Sequence, residues 1–465
     1  MSMMSMVVME IHVHSDDLRA VLRSLAETKS FQPFFSEGSP LEPVSSYGSV
    51  IQELAKAEPA FTSQNSGFGL ISSGDEDSKT AVRLYGWVPL DSVSQVDTSV
   101  RGVATQPVTT HIHNLERNES GRGVRFLSNS TSNSNREMQS GSPIPVGFKK
   151  NSFLDAFRPV FTGWAVPRYG DLDPSWLVSL FCIVMFGLMF GDLGQGAVIV
   201  CLGFWIKSAK KGVLYRFRTF WPAFVSLGIG SMFMGILDGS VFANEQVLIP
   251  LERILTTMIL GRSMDRFVTV LPEPGPLPTM QFFAFGEFIG LLVILSGVVL
   301  NVINLWRRAE YREALLGENG IIAGLLYVSM ARTIASIVRG GGICWFDIVL
   351  VLVPLIVLIM HSPFEAFVSC TDFMVNCVTF LMIGAYALSH ALLSMAFSRV
   401  AVLAGTLPAG PFCEIVAYSI GNFVIMGLEG MIVVLQCQRI VVSEFLQKFL
   451  TEPGKPFVPL AIVAE

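Results

Sequence analysis

The sequence predicts a small cytoplasmic α/β domain followed by an all-α, polytopic membrane domain of about eight helices, the last two long and tilted. Three observations carry this expectation. The chain of 465 residues is 51% hydrophobic and only 15% charged, where soluble globular chains carry roughly 25% charged residues. After Pro174 it becomes a series of long apolar runs. Before Pro174 the hydrophobic pattern is short and alternating instead.

Residues 6–14 alternate as a strand would, and Ser15-Asp16-Asp17 then caps a helical pattern from Leu18 to about Thr28. Gly67–Ser73 and Val82–Val88 read as further short strands around the polar turn Gly74-Asp75-Glu76-Asp77-Ser78. Residues 1–113 therefore form the α/β domain. Residues 114–165 form a linker, partly disordered, because the Ser/Asn/Gly-rich stretch 114–142 cannot bury a core. Residues 166–449 form the membrane domain and 450–465 a cytoplasmic tail.

Apolar spans lie near 176–190, 193–206, 219–242, 281–305, 320–338, 345–361, 366–404 and 411–447. The first two are short, and the turn Gly191-Asp192-Leu193-Gly194 between them is expected inside the membrane, held against protein or water. The last two exceed the ~20 residues that cross a bilayer upright, which calls for strong tilt. The basic loops Lys207–Arg218 and Arg307-Arg308 to Arg312 should face the cytoplasm. With one crossing per span, both termini are then cytoplasmic.

Ionisable residues sit at the centres of the two longest spans: His390 in the first, Glu429 and Arg439 in the second. A charge deep in lipid costs at least about 2.5–3.5 kcal/mol on insertion scales, so it usually faces protein or water and serves ion traffic. Asp192 and Asp238 lie in Gly-flanked segments, where a structural turn or interhelical hydrogen bond is the expected role.

Other function classes find little support. The net charge of −5 forms no basic stripe, so no nucleic acid is expected as a partner. All seven cysteines lie in or beside apolar runs, as small buried hydrophobes do. His12 and His14 share one strand face but have no third ligand or cysteine nearby, so no metal site is expected, and no cofactor. The opening residues are acidic too soon for a signal peptide. No GxxxxGK[ST], HExxH or GxSxG motif is present. A secondary transporter would show inverted repeats with broken helices in both halves, and only the break at 191–194 is found.

The run Pro167-Arg168-Tyr169-Gly170-Asp171-Leu172-Asp173-Pro174-Ser175, then MFGLMFGDLGQG at 185–196, resembles the opening of the membrane region of subunit a of V-type ATPases. That subunit is called I in bacterial and archaeal A/V-type enzymes. VNCVTFLMIGAYALSHALLS at 375–394 is similar to its penultimate helix, and MGLEGMIVVLQCQRIVVSEFLQKF at 426–449 to its last. RLYGWVPLDSV at 83–93 resembles the Gly-Trp-Val-Pro segment of its cytoplasmic domain.

The resemblance implies the stationary membrane subunit of a rotary ATPase. Such a subunit offers an ion path, for protons or sodium with protons the first expectation, to carboxylates on a proteolipid ring, and peripheral stalk and ATPase head subunits are its further partners. ATP hydrolysis would belong to other chains. On this resemblance Arg439, Glu429, His390, Glu444 and Asn376 are the ion-path residues. Met382 is a departure: it stands where the family carries the arginine of a Tyr-Leu-Arg-Leu segment, eight residues before the histidine. Arg439 alone then supplies the cation, or Arg332 reaches the site from another helix. The alternative is a degenerate, non-pumping paralogue acting as a membrane scaffold or specialised ion-path subunit of a related complex. The family's long cytoplasmic arm has no counterpart in 1–165, which points to a compact, divergent member in a bacterial inner membrane.

Overall fold

The computed structural model describes residues 3–14, 17–33, 71–72, 81–113, 115–117, 124–126, 144–242, 244, 248–260, 277–338, 344–406, 408, 410–450 and 453–460. It divides into two compact units: residues 1–149, 166–173 and 452–465 in one, and 150–165 and 174–451 in the other.

The first unit is built on an antiparallel sheet of β1 (Met6–His14), β2 (Gln32–Pro33), β3 (Ile71–Ser72), β4 (Ala81–Pro89) and β5 (Thr109–His113). Its order is β2-β4-β1-β5, with β3 also pairing β4. Strand β1 is central, with Met6 opposite Pro89 on one side and Val8 opposite His113 on the other. The sequence alternation sorts its residues onto two faces. Val7, Met9, Ile11 and Val13 pack with α1 (Leu18–Thr28) and α2 (Val93–Val103), through Leu18, Val21, Leu22, Leu25, Val96 and Val100. Met6 and Val8 are covered on the opposite face by Trp87, Tyr169 and Phe457.

Asp17 stands at the N-cap position of α1 but makes no bond to that helix. Its carboxylate instead accepts from the Thr105 hydroxyl at 2.6 Å and from the Thr105 and Gln106 amides at 3.0 and 2.9 Å. A side chain expected to start a helix thus ties the loop after α2 to it. The turn expected at 74–78 and most of the stretch 114–142 lie outside the described residues, although Leu115–Arg117 (β6) pairs antiparallel with Val124–Phe126 (β7). Near the chain end, Lys455–Pro456 (β9) pairs in parallel with Pro145–Val146 (β8). The Leu460 amide donates to the Phe31 carbonyl at 2.7 Å. Residues 453–460 therefore belong to the sheet unit.

The second unit is helical. After α3 (Ser152–Phe157) come α4 (Ser175–Met189), α5 (Leu193–Ser208), α6 (Trp221–Asp238), α7 (Ile249–Leu260), α8 (Leu277–Arg307), α9 (Ile321–Val338), α10 (Trp345–His361), α11 (Pro363–Ala404) and α12 (Gly410–Phe449). Among the described residues, five helices, α6, α8, α9, α11 and α12, are long and apolar enough to cross a membrane. Helices α4, α5 and α10 are apolar but shorter. These eight fall on the eight apolar runs of the sequence; α7 is an additional short helix. Helix α11 has 42 residues and α12 has 40, roughly 60 Å each at 1.5 Å per residue. That is about twice the ~30 Å hydrocarbon core, so each tilts or runs past its surface.

Small residues let α4, α5 and α6 pack backbone to backbone, as membrane helices often do. A Cβ added to Gly187 of α4 would lie 2.6 Å from the Gly230 carbonyl oxygen of α6, and one added to Gly235 would lie 2.2 Å from the Leu193 amide. The Asp192 break between α4 and α5 is fully buried and satisfied locally. Its carboxylate caps α5 through the Gln195 amide at 2.8 Å, and accepts from the Ser240 hydroxyl at 2.7 Å and the Phe242 amide at 3.0 Å. These bonds make Asp192 a structural turn residue.

Candidate functional site

Helices α11 and α12 run antiparallel, and their polar side chains meet in a ladder. Lys448 pairs with Asp372. Glu444 lies beside Thr379. Arg439 and Gln436 reach Met382. Glu429 meets His390. Each advance along α11 is answered by a comparable retreat along α12, as an antiparallel crossing requires.

The Glu429 and His390 rung is closed. Glu429 Oε2 lies 2.8 Å from His390 Nδ1, with the side chains only 8% and 6% exposed. The Phe190 ring, at the end of α4, sits 4.6 Å from the imidazole centroid. The contact gives the buried Glu429 carboxyl a partner, where an isolated buried charge would be costly. His390 Nε2 is buried with no hydrogen-bond partner among the described residues, so the carboxylate holds one imidazole nitrogen only.

The Arg439 rung is open. Arg439 lies on the exposed side of α12. Its Nε donates to Gln436 Oε1 at 3.2 Å and its Nη2 to the Met382 sulfur at 3.3 Å. Gln436 Nε2 is 3.7 Å from the same sulfur. A thioether is a weak acceptor, and a guanidinium carries five donors in a planar fork. Among the described residues no carboxylate pairs with Arg439. The guanidinium from α12 therefore occupies the neighbourhood of position 382 on α11, where the family resemblance expects a cation.

Helix α12 departs from α-helical pitch twice, with wider π-helical turns at Ile425–Glu429 and Val441–Leu446. Such turns recur at functional sites. Glu429 ends the first and Glu444 lies within the second. Glu444 is buried, with Ser443 Oγ 3.1 Å from its Oε1.

The other residues that the sequence singles out are more scattered. Asn376 is buried on α11, its Nδ2 without a partner among the described residues. Arg332 does not join Met382; it pairs with Asp347 at the start of α10, 3.4 Å away, and lies over the Phe346 ring. His12 contacts Glu10 at 2.8 Å and the His111 ring at 5.6 Å. Among the described residues no group of three metal-ligating side chains occurs.

Sequence reasoning missed Gln436, the pair of Asp372 with Lys448, and Glu287 on α8. Glu287 is the sole acid in the run 281–305, and that isolation is the signal that could have flagged it. Asp372 and Lys448 become predictable partners once His390 is known to face Glu429.

An oversized antiparallel helix pair with a buried imidazole–carboxylate rung and an exposed arginine, beside a cluster of shorter apolar helices, defines a polytopic membrane protein built around charges within its helices. Residues 72–243 match the V-type ATPase 116kDa subunit family. The chain is 27% identical over 230 residues to V-type ATP synthase subunit I 2 of Treponema pallidum, covering 49% of this chain and 47% of that protein. It is 23% identical over 399 residues to A-type ATP synthase subunit I of Thermococcus kodakarensis, covering 81% and 53%. It is 21% identical over 246 residues to V-type proton ATPase subunit a of Neurospora crassa, covering 51% and 25%. The chain is thus similar to subunit I of V-type and A-type ATP synthases and to subunit a of V-type ATPases. It spans about half the length of the first two of these relatives and a quarter of the third. The family match at 72–243 includes β4 and α4–α6 but not α11 or α12.

Proposed function

We propose that the chain is the stationary membrane subunit of a V/A-type rotary ATPase and forms a proton path beside a proteolipid ring. The observation that carries this is Arg439. It is an arginine on the exposed side of an apolar helix, with Met382 as a weak acceptor and no carboxylate partner among the described residues. Left facing lipid, such a charge costs about 2.5–3.5 kcal/mol or more. A passing carboxylate on a ring helix supplies the missing partner. Arg439 lowers the pKa of that carboxylate, and it stays charged when buried. Met382 supplies no charge but offers a polarizable sulfur that orients the guanidinium. His390 with Glu429 lies to one side of Arg439 along the helices, and Glu444 with Asn376 to the other. These two groups are the access routes that the carboxylate meets before and after Arg439.

The sheet unit contains residues from both ends of the described chain, including 3–14 and 453–460. This supports termini on one side, cytoplasmic by the charge of the loops at 207–218 and 307–312. Peripheral stalk and ATPase head subunits complete the assembly, in a bacterial inner membrane. The test is purification from the native membrane in mild detergent with partners identified by mass spectrometry. Co-purification of a two- or four-helix proteolipid with head and stalk subunits is expected. Recovery with neither would overturn the proposal.

A further inference from the structure

We infer that the connection from α5 to α6, residues 205–221, is a binding site for the headgroup of an anionic phospholipid. The inference does not depend on the rotary reading above. Between Asp192 and Asp238 the chain has no acidic residue, and its only cations are Lys207, Lys210, Lys211, Arg216 and Arg218. Among the described residues none of the five pairs with a carboxylate. The other basic connection is different. At 307–318, Arg307, Arg308 and Arg312 are matched in number by Glu310, Glu313 and Glu318. Only at 205–221 is the positive charge left without acids in its own segment.

Helix packing sets this connection at the level of the headgroups. Gly187 of α4 meets Gly230 of α6 and Gly191 meets Met234, so α4 and α6 run parallel. Gly196 of α5 meets Gly228 and Gly203 meets Val225, so α5 runs against them. Trp176 at the start of α4, Trp205 near the end of α5 and Trp221 at the start of α6 consequently share one end, where the Phe204 ring also lies 6.3 Å from that of Trp221. Trp176 and Trp205 are 62% and 65% exposed. Tryptophan is enriched where hydrocarbon gives way to headgroups. Helices α4 and α5 have only 15 and 16 residues, about 23 Å of rise. That falls short of the ~30 Å hydrocarbon core, so headgroups are drawn in toward these helix ends.

The side chains suit a phosphate. Lys207 Nζ stands 4.2 Å from the centroid of the Trp221 ring. A ring face attracts a cation without supplying a negative charge to neutralise it, so the ammonium still takes a phosphate oxygen. Residues 218–220 pack against α5 and against the turn Val213–Arg216. The backbone bearing Arg216 and Arg218 thus lies against the helix that ends beside Lys207. Gly212, at φ +86°, makes the reversal after Lys210 and Lys211, a conformation that side-chain-bearing residues rarely adopt. Val213, Tyr215 and Phe217 are exposed among these cations. Such a segment sinks its apolar side chains into the acyl boundary and keeps its basic ones at phosphate level. Arginine engages two phosphate oxygens at once, and lysine adds a point charge. A zwitterionic headgroup would bring a cation of its own into the same place, so the site selects a headgroup with net negative charge.

The test uses the full chain, with whatever subunits accompany it, in vesicles that carry a trace of photoreactive phospholipid. Two probes share acyl chains and photoreactive group and differ only in headgroup, phosphoglycerol or phosphocholine. Peptide-level mass spectrometry locates the cross-links. At 205–221 the phosphoglycerol probe is expected to label at least about fivefold more than the phosphocholine probe, and at 306–318 no more than about twofold more. Replacing exposed cations together, by Lys210→Gln, Lys211→Gln, Arg216→Gln and Arg218→Gln, should reduce the preference at 205–221 to that of 306–318. Salt at about 1 M, where the screening length is ~3 Å, should do the same to the wild-type chain, which keeps the test decisive even for a variant that fails to insert. Equal labelling by the two probes at 205–221, or a preference unchanged by high salt or by the four substitutions, would overturn the site. Labelling of 205–221 by neither probe would show that protein covers the connection, and would overturn it equally.

Discussion

The two central rungs of the α11–α12 ladder use the same ingredients in opposite ways. His390 and Glu429 are enclosed, 2.8 Å apart, with Phe190 packed on the imidazole. Arg439 is exposed and leans on the Gln436 carboxamide and on a thioether, a weak acceptor. The enclosed pair has its oppositely charged partner within the chain; the open arginine has no carboxylate partner among the described residues. The difference is between a charge pair closed across two helices and a guanidinium left on the exposed side of one.

Substitutions should divide along the same line. The largest effect on folding is expected from Glu429→Leu, which strands a buried imidazole. Breaking a buried pair costs about 3–5 kcal/mol, read as a drop in melting temperature in detergent. Adding His390→Leu should recover most of that loss. Arg439→Gln should leave melting nearly unchanged, yet reduce ATP-driven ion transport about 100-fold, as losing one positioned electrostatic group commonly does. A melting loss as large as that of Glu429→Leu would show that Arg439 is structural after all.

Met382→Arg probes the open rung more gently. It places a second guanidinium against the first, a repulsion of up to about 4 kcal/mol at 4 Å in a partly screened site. Transport should fall roughly tenfold from this clash, a smaller loss than removal of Arg439 itself. The exchange Met382→Arg with Arg439→Met should recover transport, because the cation returns from the opposite helix. Increased transport in Met382→Arg alone would mean that Arg439 does not fill that place.

The smallest effect lies in the sheet unit, where Asp17 is held mainly by hydrogen bonds. The Thr105 hydroxyl, then the Gln106 amide, hold the Asp17 carboxyl below its ordinary 3.8. A carboxyl with a lowered folded-state pKa adds stability above its unfolded value, near pH 4, and loses it as pH falls through the folded one. Hydrogen exchange in the β1–α1 region should therefore quicken on acidification below pH 4, and Asp17→Asn should flatten that response.

Much of this was legible in the sequence. Hydrophobic run length alone located α4 to α6 and α8 to α12, because a bilayer-sized apolar run leaves few alternatives. Strands β1 and β4 were visible in alternation and turn chemistry. The position of Asp17 at the head of α1 was legible, but its partners were not, since Thr105 and Gln106 lie far along the chain. The same limit applies at the site. His390, Glu429 and Arg439 stood out as ionisable residues in apolar runs, whereas their pairings depend on register between helices. That Arg439 reaches Met382 follows from the antiparallel crossing and from side-chain length, which no single run of residues encodes. Glu287, the sole acid in the run 281–305, was readable on the same grounds but was passed over.

The two widened turns of α12 act as phase shifters. A π-helical turn accommodates one residue more than an α-helical turn would, so whatever follows is rotated by about 100° relative to a uniform helix. Between the turns at Ile425–Glu429 and Val441–Leu446 lies Arg439. Deleting one residue from the first turn would let it relax to α-helical pitch and swing Arg439 about a quarter-circle around the axis. The sulfur of Met382 would then face another side chain. The outward aim of the arginine is thus encoded in a residue count upstream as much as in the arginine itself.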